Sequence, residues 1–218
     1  MKEWKIGCSG FYYKDWKKIF YPEDLTQSKW LSFYCEHFNT LELNVTFYRF
    51  PTLPMMKAWF DKTPEHFLFS VKAPRLITHY KKFKACKGLL NDFYSTCEKG
   101  LKHKLACVLF QLPPSTEYNE ENLEKIINNL HPGFKNIVEF RHSSWWNKKV
   151  YDVLSEYDIT FCSINHKDFP TKEISNTDTM YVRMHGNPLL YQSAYTSDEL
   201  KKLSDSAAKK IKVKQVYV

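Results

Sequence analysis

Short apolar segments alternate with segments of helical periodicity along the whole chain. Several apolar segments are almost continuous runs of β-branched or aromatic residues, for example residues 67–71, 106–110 and 137–140. Runs of this kind are typical of strands that are buried on both faces, as in a parallel sheet. The pattern predicts eight strands, at residues 5–9, 40–44, 67–72, 105–111, 136–141, 160–164, 179–185 and 215–218.

Helical segments separate these strands. They are predicted at residues 28–38, 53–62, 89–99, 119–130, 149–157 and 197–210. The fourth has Asn119 as a candidate N-cap, followed by Glu120 and Glu121, whose charges favour a helix N-terminus. The last opens at Thr196 or Ser197, again with acidic residues in its first turn.

The alternation of strand and helix predicts one α/β domain with parallel strands over residues 1–218. Eight strands favour a closed (β/α)8 TIM-barrel-like domain over an open doubly wound sheet. The sequence ends within the eighth predicted strand, so we expect a barrel that lacks the end of strand eight and the last helix. No G-x-G-x-x-G motif follows the first strand, which is evidence against a dinucleotide-binding fold.

Composition narrows the class of protein. Hydrophobic residues make up 43% of the 218 residues and aromatic residues 17%, which excludes an intrinsically disordered chain. No apolar run approaches ~18 residues, so neither a membrane-spanning helix nor a membrane partner is expected. The N-terminus enters a strand-like pattern without an apolar signal segment, and the six cysteines are scattered. We therefore expect a cytoplasmic protein with reduced thiols.

Charge adds an expectation about partners. Lys and Arg number 32 against 24 Asp and Glu, a formal charge of +8, which favours anionic partners. Only four of the basic residues are arginines, and each lies at or just beyond the end of a predicted strand: Arg49, Arg75, Arg141 and Arg183. Arginine offers a planar fork of donors that lysine cannot imitate, so these positions are candidates for anion contacts.

Charged and polar residues also occur within the apolar strands, near their carboxyl ends. In a (β/α)8 barrel this end holds the active site. Because side chains alternate along a strand, Glu139 and Arg141 share one face, as do Arg183 and His185. A buried charge is costly unless it is paired. The pattern therefore leaves two interpretations open, a ring of salt bridges that fills the barrel and a site for a ligand.

The ligand-site interpretation assigns a role to each residue type. Arg141, Arg183 and Lys72 would hold an anion, most readily a phosphate ester. His185 could exchange protons near neutral pH, and Glu42 or Glu139 could act as a general base or as a metal ligand. The candidate catalytic residues are Glu42, Glu139 and His185, and the candidate substrate-binding residues are Tyr13, Asn44, Tyr48, Lys72, Gln111, Arg141, Trp145 and Arg183. The aromatic members would stack on a sugar or a base.

The cofactor and the reaction stay open at this point. Neither an H-x-H nor an H-E-x-x-H motif occurs and aspartates are scarce at the strand ends, so a divalent metal is not favoured and no metal ligand is assigned. Two alternatives compete with an enzyme acting on a small phosphate ester by hydrolysis or isomerisation. The basic and aromatic segment 75–87 suits a nucleic-acid-binding, phosphodiesterase-like barrel, and mutual pairing of the charges would suit a non-catalytic binding or scaffold protein.

Six ordered motifs give the chain a family resemblance. Residues 6–16, IGCSGFYYKDW, and residues 38–48, FNTLELNVTFY, resemble two segments of the YecE-like family, domain-of-unknown-function family 72. Residues 69–79, 109–114, 139–145 and 181–186 are similar to four further segments of that family, in the same order. The resemblance implies a TIM-barrel-like fold and no established reaction. The chain departs from the family pattern at Cys8 and Phe11, and its loop 165–170 is only loosely similar.

Overall fold

The computed structural model describes residues 2–218, and its centre is a parallel sheet. The strands are β1 (Glu3–Lys5), β2 (Gly7–Cys8), β3 (Thr40–Leu43), β4 (Leu68–Lys72), β5 (Leu105–Gln111), β6 (Asn136–Glu139), β7 (Thr160–Asn165), β8 (Thr179–Met184) and β9 (Gln215–Tyr217). They are hydrogen-bonded in the order β1-β9-β8-β7-β6-β5-β4-β3-β2, and every pairing is parallel. The prediction of an α/β TIM-barrel-like fold is confirmed.

The barrel closes between β1 and β2, the two strands at the ends of this order, which a single residue separates in the sequence. Ile6 lies between β1 and β2, and its N–H donates to Oδ1 of Asn39 at 2.9 Å instead of to a neighbouring strand. The first predicted strand is therefore two short strands, of which β1 pairs with β9 and β2 pairs with β3. Val218 continues the closure, because its N–H donates to the Lys5 carbonyl at 3.0 Å and its carbonyl accepts from Gly7 at 3.0 Å.

The helices lie in the connections between strands, and within residues 2–218 the connection from β7 to β8 contains none. They are α1 (Trp30–His37), α2 (Val45–Tyr48), α3 (Leu53–Asp61), α4 (Lys87–Leu101), α5 (Glu120–Asn129), α6 (Lys148–Glu156) and α7 (Ser197–Lys209). The predicted cap of α5 is present, since the side chain of Asn119 accepts from the N–H of Asn122 at 2.8 Å. Helix α7 begins with a capping box formed by Thr196 and Glu199.

Helix α2 is a local departure from the predicted pattern. The prediction continued the second strand to Asn44, whereas β3 ends at Leu43 and a single helical turn follows. The hydroxyl of Thr46 lies within hydrogen-bond distance of two carbonyl oxygens, that of Leu43 at 2.8 Å and that of Lys72 at 2.6 Å. This hydroxyl ties the turn to the ends of two strands and sets the position of Asn44.

Alternation along the strands separates an outer core from the barrel interior. In β5, Val108 and Phe110 pack in the large cluster under the helices, whereas Cys107 and Leu109 pack in a separate cluster with Tyr181. At the carboxyl ends the inward positions become polar, for example Glu42 in β3. The fold therefore directs these polar side chains to one end of the barrel. Among residues 2–218, no helix combines the length and the apolar character needed to cross a bilayer.

Candidate functional site

Arg183 is the centre of a buried ion-pair network inside the barrel. Its Nε and Nη2 donate to the two carboxylate oxygens of Glu42 at 3.0 and 2.7 Å, a bidentate pairing. Its Nη1 donates to Oε2 of Glu139 at 2.5 Å. The three residues come from β8, β3 and β6, so strands from different parts of the sequence meet at this guanidinium. All three side chains are buried, and Glu139 is 0% exposed.

The network continues from Glu139 toward the mouth of the barrel. The other oxygen of Glu139 accepts a hydrogen bond from Nε of Arg141, and Nη2 of Arg141 lies 2.9 Å from Nε2 of His185. Arginine carries no acceptor, so Nε2 of His185 accepts this bond and the proton of the neutral ring lies on Nδ1. The contact therefore specifies one tautomer of His185.

Hydroxyl groups complete the surroundings of Glu42. Ser9 Oγ donates to Oε1 at 2.8 Å, and Tyr181 Oη donates to Oε2 at 2.9 Å. Ser9 lies after β2 and directly before Gly10, whose φ of +104° is a conformation that favours glycine. The turn at Gly10 thus carries Ser9 to the carboxylate. Ser9 and Tyr181 were not among the predicted site residues, although Tyr181 is two positions before Arg183 and shares its face.

The network shifts the pKa values of two of its members, Glu139 and His185. Burial raises the pKa of the Glu139 carboxyl, but the neighbouring Arg183 and Arg141 outweigh burial and lower that pKa to about 2. For His185, burial lowers the pKa to about 4; Glu139 opposes this change, and the two arginines reinforce it. Near neutral pH the site therefore contains a carboxylate of low basicity beside a neutral imidazole.

Lys72 stands apart from the network. It is the last residue of β4 and is 8% exposed, and no carboxylate oxygen of residues 2–218 lies within 4.0 Å of its Nζ. Its Nζ lies 4.3 Å from the centroid of the Phe47 ring instead. Burial lowers the pKa of Lys72 to about 8, Arg183 adds to this effect, and Glu139 and Glu42 oppose it.

A cavity of about 510 Å³ opens over these residues. Nine of the eleven predicted site residues line it: Tyr13, Glu42, Asn44, Tyr48, Lys72, Gln111, Arg141, Arg183 and His185. Oδ1 of Asn44 is buried and has no hydrogen-bond partner within residues 2–218. Because this oxygen is itself covered by protein atoms, it is not presented to the cavity. Lys72 also lines the cavity, and its amine has no hydrogen-bonding or ion-pair partner within residues 2–218.

Two predicted residues do not line the cavity. Glu139 lies behind the lining, where it joins Arg141 to Arg183. Trp145 is fully buried in the outer core, stacked on Phe140 with a centroid distance of 4.0 Å. Its Nε1 donates to the carbonyl of Thr116 at 2.8 Å, so its polar edge is also satisfied. The structure leaves no face of Trp145 for stacking on a ligand.

The rim of the cavity carries an aromatic and basic group on its outer side. The guanidinium carbon of Arg75 lies 5.5 Å from the ring centroid of Tyr48 and 5.4 Å from that of Tyr80. Both tyrosines are largely exposed, at 69% and 66%. Tyr48 also lines the cavity, so this group adjoins the opening.

The side chains present offer no obvious metal centre. No group of three or more His, Cys, Asp or Glu residues in the described chain, 2–218, is arranged to hold a metal ion. The two glutamates of the interior are each bonded to arginine, and the imidazole of His185 is bonded to Arg141. All six cysteines are free thiols, and burial raises the pKa of Cys8 at the cavity wall.

The fold and the site define a TIM-barrel-like α/β protein whose cavity, at the carboxyl ends of the strands, is built on an arginine–glutamate network. Residues 5–218 match the family model described as protein of unknown function DUF72, and the chain belongs to this family. The chain is 30% identical over 154 residues to the UPF0759 protein YunF of Bacillus subtilis, an alignment that covers 67% of this chain. It spans about half the length of that relative, 54%.

Solved structures of the same family share the fold. A DUF72 family protein from Thermotoga maritima superposes with a TM-score of 0.88 at 32% identity, covering 99% of this chain and 91% of that protein. A DUF72 family protein from Enterococcus faecalis superposes with a TM-score of 0.80 at 19% identity, covering 100% and 90% of the two chains. The family resemblance inferred from the motifs is confirmed.

Proposed function

We propose that the cavity binds a small anion, a phosphate ester, and that the barrel is an enzyme that acts on it by isomerisation or hydrolysis. The observation that carries the proposal is the unequal charge of the site. Two carboxylates, Glu42 and Glu139, face three cations, and both carboxylates are bonded to arginines. Lys72 is the cation left over, and an anionic ligand would supply its missing partner.

The network also decides which groups are free to bind. Nε, Nη1 and Nη2 of Arg183 all donate to protein oxygens, so Arg183 serves to hold Glu42 and Glu139 in place. Arg141 uses Nε and Nη2, and its Nη1 donors make no bond within residues 2–218. We therefore assign anion contact to Lys72 and Arg141, and a positioning role to Arg183.

The same contacts distinguish the acid–base candidates. Because its pKa is about 2, Glu139 is a weak base. Its carboxylate is better suited to pairing with the arginines than to accepting a proton from a substrate. His185 is neutral and offers Nδ1–H, so it suits donation of a hydrogen bond to a substrate oxygen. Lys72, with a pKa of about 8, is the lining group that can both carry and release a proton near physiological pH.

A thermal-shift series tests anion binding directly. Inorganic phosphate, glycerol 3-phosphate and neutral glycerol would be titrated against the native chain and the variants Lys72→Met and Lys148→Met. Lys148 is an exposed lysine of helix α6 that does not line the cavity, so it serves as the matched control. A ligand that binds the native state raises the Tm by mass action. We expect a shift with the phosphates alone, retained in Lys148→Met and lost in Lys72→Met.

Equal responses to glycerol and the phosphates, or equal responses of the two variants, would contradict the proposal. A native chain that unfolds normally and responds to no anion would favour the scaffold alternative. In that case the network would serve only to hold the barrel together.

Nucleic acid is the second candidate ligand, and the placement of Arg75 between Tyr48 and Tyr80 favours it. Exposed aromatic rings around a guanidinium suit stacking on unpaired bases. Short single-stranded DNA and RNA would be added to the same series, with Arg75→Ala as the variant. Binding by this group predicts an affinity that falls steeply with salt and depends on Arg75.

A further inference from the structure

Two lysines among residues 2–218 are buried, Lys72 and Lys104, and they differ in their hydrogen-bond partners. Nζ of Lys104, 2% exposed, donates to the carbonyls of Phe60 at 2.7 Å and Thr63 at 2.8 Å. Nζ of Lys72 makes no hydrogen bond or ion pair within residues 2–218 and faces the ring of Phe47. Lys104 therefore has the contacts of a structural lysine. Lys72 lines the cavity and has no hydrogen-bond acceptor or carboxylate as a partner within residues 2–218.

The surroundings of Lys72 favour the uncharged amine. Burial and Arg183 lower its pKa to about 8, and Arg141 acts in the same direction. Glu139 and Glu42 act against them, but both carboxylates are bonded to arginines. On the turn that follows β4, burial and then the charge of Lys72 itself lower the pKa of His79. At pH 7 about a tenth of Lys72 is then a free amine, far more than for a solvent-exposed lysine.

We infer that Lys72 is a nucleophile, whose amine condenses with the aldehyde or ketone carbon of an anionic carbonyl compound to form a Schiff base. The inference rests on the proposed function, because it names the substrate class of the same cavity. A desolvated lysine beside a second cation is a recognised way to activate this residue for covalent catalysis. Arg141 lines the same cavity and would hold the anionic group.

The step balances without an added redox reagent. The nitrogen lone pair of Lys72 attacks the carbonyl carbon and a C–N bond forms, while the carbon–oxygen π electrons move to oxygen. A proton passes from nitrogen to this oxygen and gives a carbinolamine. The carbon–oxygen bond then breaks, and water leaves with the second amine proton as the C=N bond forms. Uptake of one proton from solvent gives the iminium ion, which would acidify the neighbouring C–H bond for isomerisation.

Reductive trapping tests this inference on the intact chain. Dihydroxyacetone phosphate would be added with sodium cyanoborohydride, and the modified lysines would be located by peptide mass spectrometry over time. We expect modification at Lys72 to be at least about tenfold faster than at exposed Lys148, since more of its amine is neutral. Excess glycerol 3-phosphate, which has the phosphate but an alcohol in place of the carbonyl, should slow the reaction at Lys72 only.

Two variants add a comparison that does not require the modified lysine to be located by mass spectrometry. Lys72→Arg keeps a cation at the cavity and removes the nucleophile, so it should retain the thermal shift with glycerol 3-phosphate and lose the fast adduct. Lys148→Arg should retain both. Because the relative rates are read from the native chain, the test remains decisive if Lys72→Arg fails to fold.

The outcomes separate this inference from the proposed function. Modification of Lys72 at the rate of Lys148 overturns the inference, and a thermal shift with glycerol 3-phosphate would then leave anion binding standing. Fast trapping of neutral glyceraldehyde at Lys72, without any thermal shift from phosphates, supports the nucleophile and overturns the phosphate preference. Slow modification together with no thermal shift overturns both.

Discussion

Arg141 donates a hydrogen bond from Nη2 to Nε2 of His185 over 2.9 Å. This contact joins the loop after β6 to the end of β8 and determines which nitrogen of the imidazole carries the proton. A positive group as the partner of a histidine also opposes protonation of the ring. The contact therefore has consequences for both chemistry and stability.

The first prediction concerns acid stability. The pKa of His185 is lowered from 6.5 to about 4, so the unfolded chain binds the proton more readily than the folded chain. The contribution of His185 to the free energy of unfolding is therefore present above pH 6.5 and lost as the pH falls toward 4. Between pH 7 and 5 we expect a loss of about 2 kcal/mol, measured by urea unfolding.

The control for this prediction is His185→Gln, which can still accept from Arg141 and does not titrate. It should lack this loss over the same range. Below pH 4.5 protonation of Glu139 adds a second loss, because its carboxylate is stabilised in the folded state. Parallel pH profiles for the native chain and His185→Gln between pH 7 and 5 would show that His185 is not held neutral.

The second prediction is that Arg183→Met destabilises the barrel strongly. The substitution preserves much of the side-chain volume but leaves the carboxylates of Glu42 and Glu139 buried without the guanidinium between them. Removing one partner from a buried ion-pair network costs about 3–5 kcal/mol. Urea unfolding measures the change, with Lys148→Met, in an exposed pair with Asp152, as the control expected to leave the midpoint unchanged. A small loss for Arg183→Met would mean that the carboxylates find other partners.

The third prediction is that Lys72→Met raises stability. The folded state disfavours the charged amine, since the pKa of Lys72 falls from 10.5 to about 8. This residue therefore destabilises the fold below pH 8, and its unfavourable contribution decreases as the pH rises from 8 to 10.5. At pH 7 methionine should increase the free energy of unfolding by about 1–3 kcal/mol. A decrease at pH 7 would show that Lys72 is a structural residue.

The fourth prediction concerns Lys104, which serves as the contrasting buried lysine. Its Nζ binds the carbonyls of Phe60 and Thr63 and the hydroxyl of Thr63, at the end of α3. Lys104→Met leaves these buried acceptors without a donor and should cost about 1–3 kcal/mol. Thermal and urea unfolding at pH 7 measure the loss, and anion binding should be unchanged in the folded variant. The two lysine-to-methionine substitutions thus have opposite expected signs.

Local pattern predicted much of the architecture and of the site. The strand β5 has the predicted bounds. The predicted strands 136–141 and 179–185 were too long, because β6 ends at Glu139 and β8 ends at Met184. Their alternation still grouped Glu139 with Arg141 and Arg183 with His185, and all four residues belong to one network. Both features follow from the two-residue period of a strand, which depends only on neighbouring residues. The expectation of a candidate site at the carboxyl ends of the strands follows from the same information and the order of strands and helices, and a cavity lies there.

Contacts between distant parts of the chain decided the rest. The interruption at Ile6 depends on Asn39, and the burial of Trp145 depends on Phe140 and Thr116, which no local period reveals. The sequence by itself determined which residues point into the barrel, because side-chain direction is a local property of a strand. Only the tertiary structure decided that every guanidinium nitrogen of Arg183 is hydrogen-bonded and that Lys72 has no ion-pair partner within residues 2–218. Those states depend on distances between strands far apart in the sequence, where a few ångströms separate an ion pair from a free charge.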